Sequence, residues 1–230
     1  VNIMLSQLFR AAIGLALIST CAYSQTNVAN FWGSSANQHV GASSDEIGDI
    51  NGDGYKDMVV GAPNPGGMGA VYFVSGYYLA TGNGVATLGA TFSTVTDGLF
   101  GTCVVSVGDV TGDGVTDVLV GKPGTGAPMD GWVHLVSGAS KSIVNSWTRV
   151  DSTFGTSLSR CGDLNGDGYT DAIIGCPTAA AGGASAGGIS PRTGATLANL
   201  IGGAATGFGT AVSAGYIDDD GLMEFVGGNP

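Results

Sequence analysis

Four short stretches of this chain place carboxylates at a spacing that could hold a metal ion. The first reads GDINGDGYKDMVVGAP (residues 48–63), and GDVTGDGVTDVLVGKP (108–123) and GDLNGDGYTDAIIGCP (162–177) repeat it. A worn fourth copy, GYIDDDGLMEFVGGNP, occupies residues 215–230. Of the 18 acidic residues in the chain, 13 lie in these four loops, so the net charge of −11 is concentrated in them rather than spread as a solubility coat. Like charges held that close repel strongly unless a cation sits among them.

The spacing names the ligands. Oxygens at loop positions 1, 3, 5 and 9, with a backbone carbonyl at 7, can wrap one hard cation at about 2.3–2.6 Å with 6–8 ligands. In the first loop these are Asp49, Asn51, Asp53, the Tyr55 carbonyl and Asp57, with Gly54 at the bend. The second offers Asp109, Thr111, Asp113, the Val115 carbonyl and Asp117; the third offers Asp163, Asn165, Asp167, the Tyr169 carbonyl and Asp171. Thr111 is a weaker ligand than Asn, which leaves room for an intervening water. The fourth copy has Tyr216 where the first carboxylate belongs and keeps Asp218, Asp220 and Glu224, a reduced charge count that implies weaker binding. Oxygen-only donors without His or Cys favour calcium (Ca2+) over zinc or copper, and a flexible cage favours it over magnesium. The expectation is three calcium sites and a degenerate fourth, acting to neutralise and rigidify the loops.

Two simpler readings compete. An EF-hand shares the DxNxDG opening but needs a bidentate Glu at position 12 and flanking helices. Position 12 here is Val60, Val120 and Ile174, inside an apolar run. A plain hairpin turn needs only one Asn-Gly or Asp-Gly pair, not carboxylates at 1, 5 and 9 in three copies. Catalytic constellations are thin. His39 and His134 are the only histidines, and His134 lies between Val133 and Leu135 as a half-buried strand residue would. No Gly-x-Ser-x-Gly elbow, phosphate loop or HExxH occurs. Seven scattered Lys and Arg form no stripe, which argues against nucleic-acid binding.

The elements that must position these loops follow from the repeat itself. The closing prolines, Pro63, Pro123, Pro177 and Pro230, step by 60, 54 and 53 residues, a period that signals units burying apolar faces against their neighbours. Each unit opens on Phe-Gly (Phe100-Gly101, Phe154-Gly155, Phe208-Gly209, with Val40-Gly41 in the first), then a short alternating strand and the acidic loop. A wholly apolar strand follows (Met58–Val60, Val118–Val120, Ala172–Ile174), as expected of strands covered on both faces. Further strands are predicted at 71–76 and 132–138, with outer strands near 85–92 and 142–147. No helical periodicity is visible. In the third unit GGASAGGISPRTGATL (182–197) carries a proline and few bulky residues, so its third strand is doubtful. The fold expected is all-β, a β-propeller of four-stranded antiparallel blades.

The Phe-Gly openings, the acidic loops and Gly61-Ala62-Pro63 resemble FG-GAP repeats, the blades of the integrin α-subunit N-terminal propeller. The resemblance covers residues 40–230, with blades near 40–99, 100–153, 154–207 and 208–230. It implies a ring of about seven blades in a secreted or cell-surface protein, of which about three and a half are present here. It also implies an extracellular protein or glycan as partner, bound away from the calcium loops, and a non-catalytic role in binding or adhesion. The alternative is the propeller module of a larger secreted hydrolase or lyase whose catalytic domain lies beyond residue 230; a longer structural array is a third reading.

The N-terminus fits export. Residues 1–24 are read as a signal peptide, with Arg10, an apolar run from Ala11 to Ile18, and Ala22-Tyr23-Ser24 before the cleavage point. That run is too short to span a bilayer, which takes about 20 residues, and no other transmembrane segment is expected. Residues 25–39 form a polar lead-in. The remaining Cys103, Cys161 and Cys176 lack CxxC spacing and are expected as buried free thiols.

Overall fold

The computed structural model describes residues 38–81, 87–92, 99–125, 130–150, 152–178, 185–201, 207–216 and 223–228. The expected signal peptide, most of the lead-in, and Asp218 to Asp220 lie outside them. Within them the chain is a series of antiparallel β-sheets. The first contains β1 (Ser43–Gly48), β2 (Asp57–Ala62), β3 (Ala70–Val74) and β4 (Thr87–Phe92), neighbours in that order. The second repeats the order with β5 (Cys103–Gly108), β6 (Asp117–Lys122), β7 (Gly131–Val136) and β8 (Ile143–Arg149). The third has β9 (Ser157–Arg160), β10 (Ala172–Cys176), β11 (Ser185–Ile189) and β12 (Thr196–Ile201), and β13 (Ala211–Gly215) pairs β14 (Glu224–Gly228) in the fourth. The first strands lie against one another from sheet to sheet, which is the inner edge of propeller blades. There Asp45 Oδ2 of β1 accepts from Ser106 N of β5 at 2.9 Å and from Arg160 Nη1 of β9 at 3.2 Å, tying three blades with one carboxylate.

The second strands of blades 2 and 3 are apolar along their middle because a blade lies on each side, with Asp117 and Lys122 at the two ends of β6. Every residue of β6 and of β10 is buried. Between the first two blades Val59, Val71 and Phe73 meet Phe100, Val104, Val118 and Val136; between the next two Leu119, Val133 and Leu135 meet Ala172, Ile174 and Ile189.

The Phe-Gly and Gly-x-Pro marks are the joints. Gly101 has φ 92° and Gly155 φ 88°, backbone that costs a side chain dearly. Within its blade, Gly101 N donates to Gly121 O at 3.1 Å, and Gly155 N to Gly175 O at 3.1 Å. Across the joint, a Cβ on Gly61 would overlap Gly101 O, and one on Gly121 would overlap Gly155 O. Ser43 Oγ donates to Gly101 O at 3.2 Å, Cys103 Sγ to Gly155 O at 3.1 Å and Ser157 Oγ to Gly209 O at 2.9 Å, so each joint carries the same bond. The three thiols are free, as expected, and burial pushes those of Cys103 and Cys161 up to about 12.

Two features differ from the sequence expectation. A short helix, α1 (Gly76–Thr81), follows β3; at six residues it is too brief to leave a helical period, and it stands where blades 2 and 3 make five-residue turns. The doubtful third strand of the third blade exists as β11, in register with β10 from Ala172↔Ile189 to Cys176↔Ser185. Its glycines form a strand because a neighbour supplies the bulk. Trp147 of β8 packs against the cluster that contains Ile189, and its Nε1 donates to Gly194 O at 3.1 Å. A cavity of about 310 Å³ remains there, lined by Trp147, Arg149, Phe154, Gly187 and Gly188 among others.

Candidate metal loops

Each acidic loop joins the first and second strands of its blade. The first aspartate organises the turn. Asp49 Oδ1 accepts from Gly52 N (2.7 Å) and Asp53 N (3.1 Å), and Oδ2 accepts from Gly54 N (2.7 Å). Asp109 and Asp163 do the same with Gly112, Asp113 and Gly114 and with Gly166, Asp167 and Gly168. The amide of Gly54, Gly114 or Gly168, the strongest influence in each case, holds its carboxyl below the ordinary 3.8.

The fifth residue continues the pattern. Asp53 Oδ1 accepts from Tyr55 N (2.9 Å), Asp113 Oδ1 from Val115 N (3.0 Å) and Asp167 Oδ1 from Tyr169 N (2.9 Å). The third residue separates the copies. Asn51 Nδ2 donates to Asp53 Oδ2 and Asn165 Nδ2 to Asp167 Oδ2, both at 2.9 Å. Thr111 instead turns its hydroxyl toward Asp117 Oδ1 at 3.4 Å.

The ninth residue anchors the loop to the blade. Asp57, Asp117 and Asp171 are fully buried. Asp57 Oδ2 accepts from Ile50 N at 2.9 Å, and Oδ1 reaches across to Gly76 N at 2.8 Å, just beyond β3. Asp117 takes Val110 N at 2.9 Å and Gly138 N at 3.1 Å in the same way. Burial raises the Asp117 carboxyl above its ordinary range. Asp171 keeps Leu164 N at 2.8 Å, but its Oδ1 is buried without a partner. Burial raises its carboxyl too, with the charges of Asp167 and Asp163 adding to the effect.

These contacts to the ninth aspartate escape a reading by spacing. The amides that clamp Asp57 and Asp117 belong to Ser75-Gly76 and Ser137-Gly138, and the dipeptide is their only signal. Ser137 Oγ donates to Asp113 Oδ2 at 3.0 Å and Ser190 Oγ to Asp167 Oδ2 at 3.2 Å. Two cations also bridge successive loops. Lys141 lies 4.7 Å over the Phe73 ring and within the fields of Asp57 and Asp113. Arg192 lies 4.8 Å over the Tyr169 ring and donates to Val110 O at 2.8 Å. Of the fourth loop only its end is described, with Glu224 opposite Gly215 in the β13–β14 pair.

Among the described residues, no three carboxylate, imidazole or thiol groups converge on one point as a closed cage. The donor chemistry nevertheless fits a hard cation. Every side-chain donor at positions 1, 3, 5 and 9 is oxygen-bearing. A carboxylate has about four lone-pair sites, so one that accepts amides retains capacity for a metal. The unpartnered Asp171 Oδ1 is a buried anionic oxygen that still lacks its contact.

The histidines take no part in any such cluster. His134 of β7 stacks on Trp132 at 5.8 Å, and its Nδ1 lies 2.8 Å from Ser146 Oγ. His39 has φ 37° at the head of the first blade. No helix among the described residues is long and apolar enough to cross a membrane.

Comparison with known proteins agrees with this architecture. Residues 49–120 match the FG-GAP-like repeat family and residues 154–190 the FG-GAP repeat family. Integrin alpha-7 of Homo sapiens is 33% identical over 143 residues, which is 56% of this chain and 11% of that protein. Integrin alpha-4 of Xenopus laevis is 32% identical over 142 residues, 55% of this chain and 13% of the relative. Integrin alpha-PS2 of Drosophila melanogaster is 29% identical over 174 residues, 66% and 12% respectively. The matched stretch thus spans only a small part of each relative's length. Four-stranded blades, Phe-Gly joints and family matches agree: the chain carries FG-GAP-type repeats at residues 49–120 and 154–190, and its blades resemble those of the integrin α propeller.

Proposed function

We propose that the chain is an exported, non-catalytic propeller module whose acidic loops bind calcium for stability and whose blades present a surface for an extracellular protein or glycan. The observation that carries this reading is the threefold repetition of an oxygen-only donor set, Asp49 to Asp57, Asp109 to Asp117 and Asp163 to Asp171, each in the same place on its blade. Asn51, Thr111, Asn165 and the carbonyls of Tyr55, Val115 and Tyr169 complete the candidate ligands, and Asp218, Asp220 and Glu224 a weaker fourth set.

A calcium ion would neutralise charges that otherwise repel, and would lock the connection between first and second strands. Linkage then makes stability depend on calcium: a ligand at 100 times its dissociation constant adds about 2.7 kcal/mol. The test is thermal melting of the whole chain with chelator and with calcium chloride. The expected result is a midpoint that falls in chelator and returns with calcium. A midpoint that ignores both would remove the calcium reading.

A further inference from the structure

The loops are alike in sequence but not in how the ninth aspartate is held. In the first two blades its Oδ1 is claimed by a backbone amide, Gly76 N at 2.8 Å or Gly138 N at 3.1 Å. The third blade has Ser190-Pro191 where the others have Ser-Gly, and proline has no N–H to give. Asp171 Oδ1 is left buried and unpartnered. Ser190 Oγ donates to Asp167 Oδ2 at 3.2 Å, and the same hydroxyl favours the charged form of Asp171 without closing a hydrogen bond to its Oδ1. The main chain of Asp171 still pairs across the loop, its N donating to Gly162 O at 2.6 Å and its O accepting from Cys161 N at 2.9 Å, so the difference lies in the side chain, whose carboxylate sits in the fields of Asp167 and Asp163.

We propose that the third loop is the tightest cation site of the chain, because Pro191 leaves Asp171 Oδ1 free to ligate directly. The proposal rests on the calcium reading above and goes beyond it by ranking the sites. In the first two loops a cation approaches an oxygen that already carries an amide dipole. In the third it meets a bare anionic oxygen whose burial is costly without a partner. The same proline that weakens the metal-free loop strengthens the loaded one. Ser75 Oγ, the other buried side-chain atom without a partner among the described residues, is a neutral hydroxyl on the first blade and carries no such charge. The difference of about one hydrogen bond to a charged group corresponds to roughly tenfold in affinity.

The test is calorimetric titration of calcium chloride into the chelator-stripped whole chain, wild type against Pro191→Ala, with melting of both stripped proteins. Alanine keeps a Cβ and restores the amide. The expected result is a tight phase of one equivalent in the wild type that weakens about tenfold in Pro191→Ala, while the stripped variant melts higher than the stripped wild type. Opposite signs on binding and metal-free stability are what a merely structural proline would not produce. Should Pro191→Ala not fold, Asp117→Asn and Asp171→Asn decide: in chelator the first lowers the midpoint, because one of the two oxygens that accept Gly138 N or Val110 N and Thr111 N becomes a donor, the second does not, and only the second abolishes the tight phase. A tight phase unchanged by Pro191→Ala, or by Asp171→Asn, overturns the ranking while leaving calcium binding intact. Absence of any calcium heat in the wild type overturns both.

Discussion

The joint between blades 1 and 2 and the joint between blades 2 and 3 solve one packing problem with exchanged sizes. At the first joint a small residue on the outer strand, Thr91 of β4, precedes a blade whose third strand carries His134. At the second, a large Trp147 of β8 precedes a blade whose third strand carries Gly187. Thr91 Oγ1 donates to Lys141 O at 2.6 Å, and Trp147 Nε1 donates to Gly194 O at 3.1 Å. Lys141 and Gly194 are the same turn position, with φ of 57° and 76°. Both joints therefore keep the same hydrogen bond, donated by the outer strand and accepted by the turn carbonyl of the next blade, while the sizes of the side chains beside it differ. The exchange is incomplete at the second joint, where the cavity beside Phe154 remains.

That difference can be broken most sharply at the Phe-Gly phenylalanines. Phe100 is fully buried in a filled cluster, whereas Phe154 is partly buried and lines the cavity. Phe100→Ala should cost about 3–5 kcal/mol, and Phe154→Ala clearly less, measured by denaturant unfolding; equal losses would mean the two joints are packed alike. The next effect tests the backbone contact itself. Gly121→Ala sets a Cβ into Gly155 O and Gly175→Ala sets one into Gly209 O, so each should cost about 1–3 kcal/mol. A neutral result at either would show that the joint yields. Smaller still, Thr91→Val and Trp147→Phe each delete the shared hydrogen bond and should each cost about 0.5–1.5 kcal/mol. A large asymmetry between them would show that the two donors are not equivalent.

The smallest effect is the pH response in chelator, where the sign differs between loop positions. Asp49, Asp109 and Asp163 are held below the usual 3.8, so their stabilisation is present above that value and is lost as pH falls through their lowered range. Asp117 and Asp171 are raised by burial, so their charged forms cost stability and acidification relieves it first. The melting midpoint of the metal-free chain should hold or rise slightly as pH is lowered from 7, and fall only below 3.8. A fall that begins near neutrality would mean the buried pair is not the first to protonate.

The blades and loops were legible because three copies of one spacing cannot arise from a chance turn, and because strands covered on both faces spell continuous apolar runs such as Val118-Leu119-Val120. β11 was hidden because Ser185, Ala186, Gly187 and Gly188 bring no apolar signal of their own; Trp147, about 40 residues earlier, fills the space. The clamp on the ninth aspartate was equally out of view. Asp57 meets Gly76 19 residues on, and Asp117 meets Gly138 21 residues on, so the contact depends on how β3 and β7 return beside the loop. Helix α1 was missed for want of length. Spacing singles out the first-position aspartates, yet spacing alone does not reveal that amides of their own loops claim both oxygens.

The glycine-to-glycine joint has a consequence for how such chains change over generations. Gly61 against Gly101 and Gly121 against Gly155 meet main chain to main chain, with one small side-chain donor, Ser43 or Cys103, on the glycine oxygen, so the fit asks little of the other side chains of either partner. The front of one unit then matches the back of another. Copying a whole unit of the gene inserts a blade whose two joints already exist, and losing one lets the flanking blades meet on the same terms. Side chains around the joint differ between copies, Thr91 with His134 at one and Trp147 with Gly187 at the next, while the number of units stays open to duplication and deletion.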